Sequence, residues 1–297
     1  MIAGPTGAGK SRVAMALAAR IDGEIVNYDS VQVYRGFDIG SAKPPAEERQ
    51  AIPHHLIDVI DADEPFDAAE FAARAKVICE EIEGRGHRPI LVGGTGFYLR
   101  ALLSGLPELP RRDEALRARI RTIRDAPRGA PRLWRLLERI DPATAGRLAP
   151  ADRHRVERAL EVFFSSGRPI STWERPSAHV EALRATKFGL SLDRVALNRV
   201  LDERVRAMYA RGLVEETRAL LARFPATARP FTTIGYREAA AVVSGAMSVS
   251  EAIEETARRT RAYAKRQMTW LRAEPGLVWV DAGRAVEEIV AGLRIEK

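Results

Sequence analysis

The sequence predicts an α/β fold, a parallel sheet flanked by helices with an all-helical basic domain inserted into it. Three observations carry this. An octapeptide with the spacing of a phosphate-binding loop, GPTGAGKS (Gly4–Ser11), stands between a short apolar stretch and an amphipathic helix. Apolar segments too short and too unbroken for a one-sided sheet then take turns with helical ones, the pattern of parallel strands covered on both faces. The strand-like segments stop near residue 106 and return only at 186, and the interval between is helical, polar and rich in arginine. The loop makes the sheet P-loop NTPase-like.

Each element has its own warrant. Met1–Ala3 is the first strand, short for a central position, so the natural start is expected a few residues upstream. The helix after the loop carries Val13, Leu17 and Ile21 on one stripe. "EIVNYDS" (24–30) and "HLIDVI" (55–60) read as buried strands. Asp67 is placed to cap a helix with Glu70 three residues on, Phe66 to staple onto Phe71, and the helix runs to Gly84-Arg85-Gly86. "RPILVGG" (88–94) is the next strand, and the prolines of "LPELPRRD" (106–113) close the pattern. Residues 113–165 are helical with breaks at Ala126-Pro127 and Pro142. "TKFGLSLD" (186–193) alternates like a strand. Ser248 and Glu251 frame a capping box that opens a helix to about Arg272, and "GLVWVD" (276–281) is the last strand. The expected division is a core of 1–107 and 170–297 with a helical insertion of 108–169.

Composition narrows the class. With 297 residues, 46% hydrophobic and 29% charged, the chain has room for a core domain and an appended one. It contains no apolar run long enough for a bilayer and opens on no secretory leader, so the cytoplasm is expected. The single cysteine, Cys79, excludes an internal disulfide and a cysteine zinc site, and its place on an apolar helical stripe makes it core. Net charge is +7. Between Arg111 and Arg168 there are 15 arginines, no lysine and 8 acids, a surplus of seven; the rest balances at 32 against 32. One segment therefore carries the whole excess, which beside a phosphate site suits a polyanion larger than a nucleotide.

The octapeptide Gly4, Pro5, Thr6, Gly7, Ala8, Gly9, Lys10, Ser11 is built for phosphate. Its glycines permit positive φ, so successive N–H groups can converge on one anion, with the helix dipole behind them. Lys10 adds a point charge and Ser11 offers a hydroxyl to Mg²⁺. A nucleotide hydrolase needs an acid at a second strand end, yet "PILVGGTGFY" ends in Gly93-Gly94-Thr95. Asp29, after "EIVNY", is the earliest acid at a strand end. Strand C-termini of a parallel sheet share one crevice, so Asp29, Thr95 and the loop should meet there. The carboxylate is a general base, a Mg²⁺ ligand or simply a helix cap; composition does not choose. His54-His55 diverge in direction and suit a loop or strand edge better than a metal.

In order, "GPTGAGKS", "DSVQVYRGFDIGSAKP", "PHHLIDVID", "LVGGTGFYLRALL", "DRHRVERALEVF", "TTIGYRE" and "YAKRQMTWLR" resemble the blocks of bacterial tRNA dimethylallyltransferases, from Gly4 to about Asp281. The resemblance implies transfer of a dimethylallyl group from dimethylallyl diphosphate to the exocyclic amine of the adenosine just 3′ of the anticodon; Mg²⁺ is the expected cofactor, and a monomer the expected state. It implies that the loop holds the donor's diphosphate, that Asp29 is the catalytic aspartate, and that Thr95 stands near the reacting centre. It carries tRNA contacts onto Asp29, Ser30, Val31, Gln32 and Thr95, onto Arg117 and His154, Arg155, Val156, Glu157, Arg158 of the insertion, onto Thr232, Thr233, Ile234, Gly235, Tyr236, Arg237, and onto Lys265, Arg266, Gln267 and Arg272.

There is one departure. In "LNRVLDERVRAM" the family usually has an arginine, thought to help with the diphosphate, where this chain has Val200. On the stripe Leu197–Leu201–Met208 that valine reads as packing, and Arg204, one turn along, is the candidate substitute. The rival functions are an adenylate isopentenyltransferase acting on free AMP, ADP or ATP, which has less use for the basic segment, a small-molecule P-loop kinase, and a non-catalytic RNA-binding P-loop protein.

Overall fold

The computed structural model of the chain describes residues 1–173 and 183–295. It divides into two compact units, Met1–Leu103 with Leu183–Lys297, and Ser104–Ala182.

The first unit begins with β1 (Ile2–Ala3), α1 (Lys10–Ile21), β2 (Gly23–Asn27), α2 (Ala46–Ala51), β3 (His54–His55), α3 (Ala68–Gly84), β4 (Arg88–Val92) and α4 (Gly96–Ser104). The second unit holds α5 (Glu114–Asp125), α6 (Gly129–Ile140), α7 (Pro142–Ala145) and α8 (Arg153–Ser166). The chain then re-enters the first unit through β5 (Lys187–Ser191), α9 (Arg194–Ala210), α10 (Leu213–Leu221), α11 (Tyr236–Val243), α12 (Val249–Arg272), β6 (Leu277–Asp281) and α13 (Ala285–Ile295). The strands form one sheet in the order β3-β2-β4-β1-β5-β6, every neighbouring pair parallel. Two residues suffice for β1 because it lies between β4 and β5, with Ile2 opposite both Val92 and Phe188. Val13 and Leu17 of α1, Ile25, Ile90, Leu190, Val280 and Ile289 of α13 make one core on that sheet.

Two strand expectations need correction. Of "HLIDVI" only His55 lies in β3, which pairs with β2 through His54 and His55, while Ile60 makes an isolated parallel bridge with Tyr34. Leu56 and Asp58 take φ of +60° and +57°, which breaks the strand, and the amides of Val59 and Ile60 turn to Val33 O instead. "TKFGLSLD" does not alternate: Phe188, Gly189 and Leu190 are buried in succession, as expected of a strand flanked by β1 and β6 and covered on both faces. The caps hold. Asp67 accepts the amides of Ala69 and Glu70, while Glu70 itself pairs with Arg74 at 2.6 Å. Phe66 and Phe71 both lie against Tyr98, the second stacked at 4.8 Å. Ser248 and Glu251 cap α12 reciprocally. Cys79 is fully buried, and burial pushes its thiol up to about 12.

Within the helical unit Ile120, Leu133, Leu137, Val156 and Leu160 form the core. Asp113, Asp141 and Asp152 cap three of its helices. Besides the capping Asp141, two more carboxylates are buried in this unit. Glu157 meets Arg124 at 2.6 Å, and Glu161 meets Arg158 at 2.9 Å and Arg117 at 3.8 Å.

Candidate active site

β1 delivers the chain into the Gly4–Ser11 loop at the C-terminal end of the sheet, where a parallel arrangement opens its crevice. Gly7 and Gly9 take φ of +82° and +83°, which lets the loop wrap and enter α1. Gly7 is needed for space as well, since a Cβ there would lie 2.6 Å from Leu201 of α9. Lys10, on the first turn of α1, donates to the carbonyls of Gly4 and Pro5 at 3.0 Å each. Burial first, then the charge of Arg204, pull its pKa down to about 8, with Asp29 opposing them. Arg204 is itself lowered by burial and raised by Asp29. Lys10, Arg204 and Asp29 thus form one electrostatic cluster, two cations and one carboxylate. Ser11 lies exposed beside it.

β2 ends at Asn27, and the next residues bend into the crevice. The Asn27 side chain accepts the Asp29 amide at 3.1 Å, and Asp29 Oδ1 accepts the Val31 amide at 2.9 Å. Asp29 is therefore held by its neighbours, as a turn cap, within electrostatic reach of Lys10. Thr95 follows β4. Its Oγ1 accepts the Ser30 amide at 3.1 Å and lies 3.2 Å from Ser30 Oγ, which ties the β2 and β4 loops together. Behind both loops stands α12. Tyr263 and Gln267 donate to Gly94 O at 3.1 and 2.9 Å, and the Thr6 amide donates to Gln267 Oε1 at 2.7 Å. Tyr263, which sequence reasoning missed, has its pKa raised by burial and then by the charge of Asp29.

Most of the remaining residues are either exposed or buried. Exposed are Thr232, Arg237, Lys265, Arg266 and Arg272 in the first unit, and His154 and Arg155 in the second. Buried are Gly235, Tyr236 and Gln267 in the first, and Val156 and Glu157 in the second. Tyr236 donates to Glu216 at 2.6 Å and accepts the Gly40 amide at 3.1 Å. Gln32 donates to Ser41 O at 3.1 Å, while Thr233 and Ile234 are half-buried. On α8 and α12 helical periodicity separates two faces without saying which polar face is buried; the turn before α11 gave no such signal. Val200 corrects the packing expectation. It is 40% exposed, while Leu197, Leu201, Val205 and Met208 form the buried stripe, because position 200 falls one step off their helical face.

Arg117 and Arg158 are also half-internal: both face Glu161, and Arg158 donates to Pro110 O at 2.8 Å. Arg155 is outward, its side chain 72% exposed beside Asp152. Arg158→Leu is therefore expected to destabilise the protein by about 2–4 kcal/mol, because it leaves a buried carboxylate short of its partner. Arg155→Gln should cost almost nothing. Chemical denaturation of the two variants checks this, and equal stabilities would mean that Glu161 is satisfied without Arg158.

Among the described residues no group of three or more His, Cys, Asp or Glu could hold a metal ion. The cluster offers instead a cradle of loop amides and cations for a polyanion, with a carboxylate and a hydroxyl at its mouth, and comparison with known proteins agrees with that chemistry. The IPP transferase family model matches residues 32–274. A relative from Solibacter usitatus, named tRNA dimethylallyltransferase, is 50% identical over 289 residues, covering 96% of this chain and 94% of its own. The solved full-length tRNA isopentenylpyrophosphate transferase of Bacillus halodurans superposes with a TM-score of 0.71 at 36% identity, over 98% of this chain and 94% of that one. A eukaryotic dimethylallyltransferase solved acting on tRNA matches with the same TM-score, 0.71, at 29% identity, over 95% of this chain and 73% of its own. The loop, the two strand-end residues and the chain-long similarity lead to one conclusion: this chain belongs to the IPP transferase family.

Proposed function

We propose that this protein transfers a dimethylallyl group from dimethylallyl diphosphate to N6 of the adenosine immediately 3′ of the anticodon, position 37 of tRNA, releasing diphosphate. The observation that carries the reading is the cluster of Lys10, Arg204 and Asp29 at the phosphate loop, with Thr95 tied to Ser30 beside it. In the reaction the allylic C1–O bond breaks and both its electrons leave with the diphosphate. The adenine amine, whose lone pair is delocalised into the ring, forms the new C1–N6 bond and gives up a proton, which Asp29 accepts. Lys10, Arg204 and the loop amides stabilise the charge that grows on the leaving group. Thr95 is the proposed contact to the bridging oxygen.

Mg²⁺ fits this site as an ion carried largely by the diphosphate. Ser11 is exposed on the first turn of α1, Asp29 is the nearby carboxylate, and Mg²⁺ commonly uses few protein ligands. Bound there, it would neutralise part of the leaving charge. The adenosine must leave its stack to reach the crevice, so the RNA is gripped on either side. The outward residues Thr232, Arg237, Lys265, Arg266, Arg272, His154 and Arg155 are the proposed contacts, with the helical insertion as the tRNA-binding domain. No helix among the described residues is long and apolar enough to cross a membrane. We read the protein as a cytoplasmic monomer whose reacting groups all come from one chain.

The test is incubation with dimethylallyl diphosphate and either undermodified tRNA or AMP, read by mass, with ATP and small hydroxyl acceptors as the kinase control. Addition of 68 Da, the ~C5H8 gain of N-prenylation at an exocyclic amine, to tRNA alone supports the reading; addition to AMP alone, or phosphoryl transfer, overturns it.

Val200 gives a second test. Its exposure leaves room for an arginine, and α9 already brings Arg204 to the loop one turn on. Val200→Arg is expected to lower the donor KM about tenfold or more, the worth of a charge-assisted contact of roughly 1.5–3 kcal/mol. Its Tm should barely move. An unchanged KM would show that Arg204 already does the work.

A further inference from the structure

The family resemblance puts Gln267 among the tRNA contacts, but its position is internal. It is 2% exposed, and both ends of its amide are engaged. Oε1 takes the Thr6 amide of the phosphate loop at 2.7 Å, and Nε2 gives to Gly94 O, the residue before Thr95, at 2.9 Å. The three residues lie far apart in sequence and on different elements. A Cβ on Gly94 would stand 2.5 Å from Nε2, so the glycine is what lets the amide approach. Gly96, on the other side of Thr95, is packed as tightly: a Cβ there would lie 2.6 Å from Trp270, one turn further along α12.

We propose that Gln267 is a positioning residue, a two-ended amide strut that fixes the spacing between the diphosphate-binding loop and the Thr95 loop. The inference rests on the prenyl-transfer reading above. Its logic is geometric. Thr6 gives its N–H to the strut and Ala8 gives its own to Pro5 O at 3.2 Å, which orients the loop so that the amides of Gly7, Gly9, Lys10 and Ser11 are left for the anion. Gly94 O is anchored by Gln267 and Tyr263 together, and that anchors Thr95 against Ser30. One side chain therefore holds the part that binds the leaving group in register with the part beside the breaking bond. Misplacement of reacting groups by about 1 Å can cost on the order of 10²-fold in rate.

The experiment compares wild type, Gln267→Leu, Gly94→Ala and Gln267→Glu in single-turnover transfer at saturating donor and tRNA, alongside tRNA affinity. Gln267→Leu is expected to slow transfer by roughly 10²-fold and to leave tRNA affinity unchanged. Gly94→Ala keeps the amide but pushes it away, and should slow transfer in the same direction; it decides the matter should the leucine variant not fold. Gln267→Glu discriminates a strut from mere packing. Its carboxylate can accept from Thr6 but not donate to Gly94 O, whereas the protonated acid can do both. Its rate relative to wild type should therefore rise as pH falls. Unchanged transfer with weakened tRNA binding would overturn the inference in favour of an RNA contact, and wild-type rates in all variants would reduce Gln267 to filler. Absence of transfer by the wild type would instead remove the prenyl-transfer reading, and the strut's role with it.

Discussion

Asp29→Asn is expected to lower single-turnover prenyl transfer by ~10²-fold or more, the range for losing a general base, while tRNA binding persists. The substitution is close to isosteric. An asparagine oxygen still accepts the Val31 amide, so the turn after β2 keeps its shape. What it loses is basicity: the amide cannot take the proton that N6 releases. A second consequence follows from the cluster. Asp29 raises the pKa of Lys10, so removing its charge drives Lys10 further towards the neutral amine and loosens the donor. The donor KM should therefore rise modestly as well. Rapid-quench transfer with bound tRNA measures the first effect and a donor titration the second. Transfer at the wild-type rate would take Asp29 out of the chemistry and leave it a turn cap.

Lys10→Met should lower kcat by roughly 10²–10³-fold, as removal of one preorganised donor to a developing anion does. The wild type adds a pH signature. In the free protein Lys10 titrates at about 8, below its ordinary 10.5, because burial and Arg204 both disfavour the ammonium. Below about 8 the loop carries the charge; above it the charge is lost before the donor binds. The donor KM is thus expected to climb as pH rises through 8, while kcat changes less, since a bound diphosphate holds the proton on. Stability moves the opposite way. The unfolded chain keeps this proton up to 10.5 and the folded one does not, so between these values the unfolded state binds more protons and stability increases with pH. The cost of burying the ammonium is fully present below 8. Lys10→Met should flatten both trends, and a pH-independent donor KM in the wild type would contradict the assignment.

Much of this was legible in the chain itself, where the signal is local. The phosphate loop needs glycines and a Lys-Ser pair at fixed spacing, and the structure bends at Gly7 and Gly9. Asp67, Ser248 and the breaks at Pro127 and Pro142 act on backbone groups within a few residues, so they read directly. Unbroken apolar segments declared a parallel sheet, and the arginine count marked the insertion. Other features depended on what lies across the fold. The end of β3 is set by positive φ at Leu56 and Asp58, non-glycine residues that propensity does not flag. Whether Val200 packs was decided by which face of α9 met the loop. The inward half of the α8 and α12 motifs, Glu157 and Gln267 among them, looked like the outward half because polar side chains announce chemistry without direction. Only the tertiary structure supplies the partners, Arg124 for one and Thr6 with Gly94 for the other, that make burying such groups affordable. A sequence states which groups are present, and burial with its hydrogen-bond demands states which of them are spent inside.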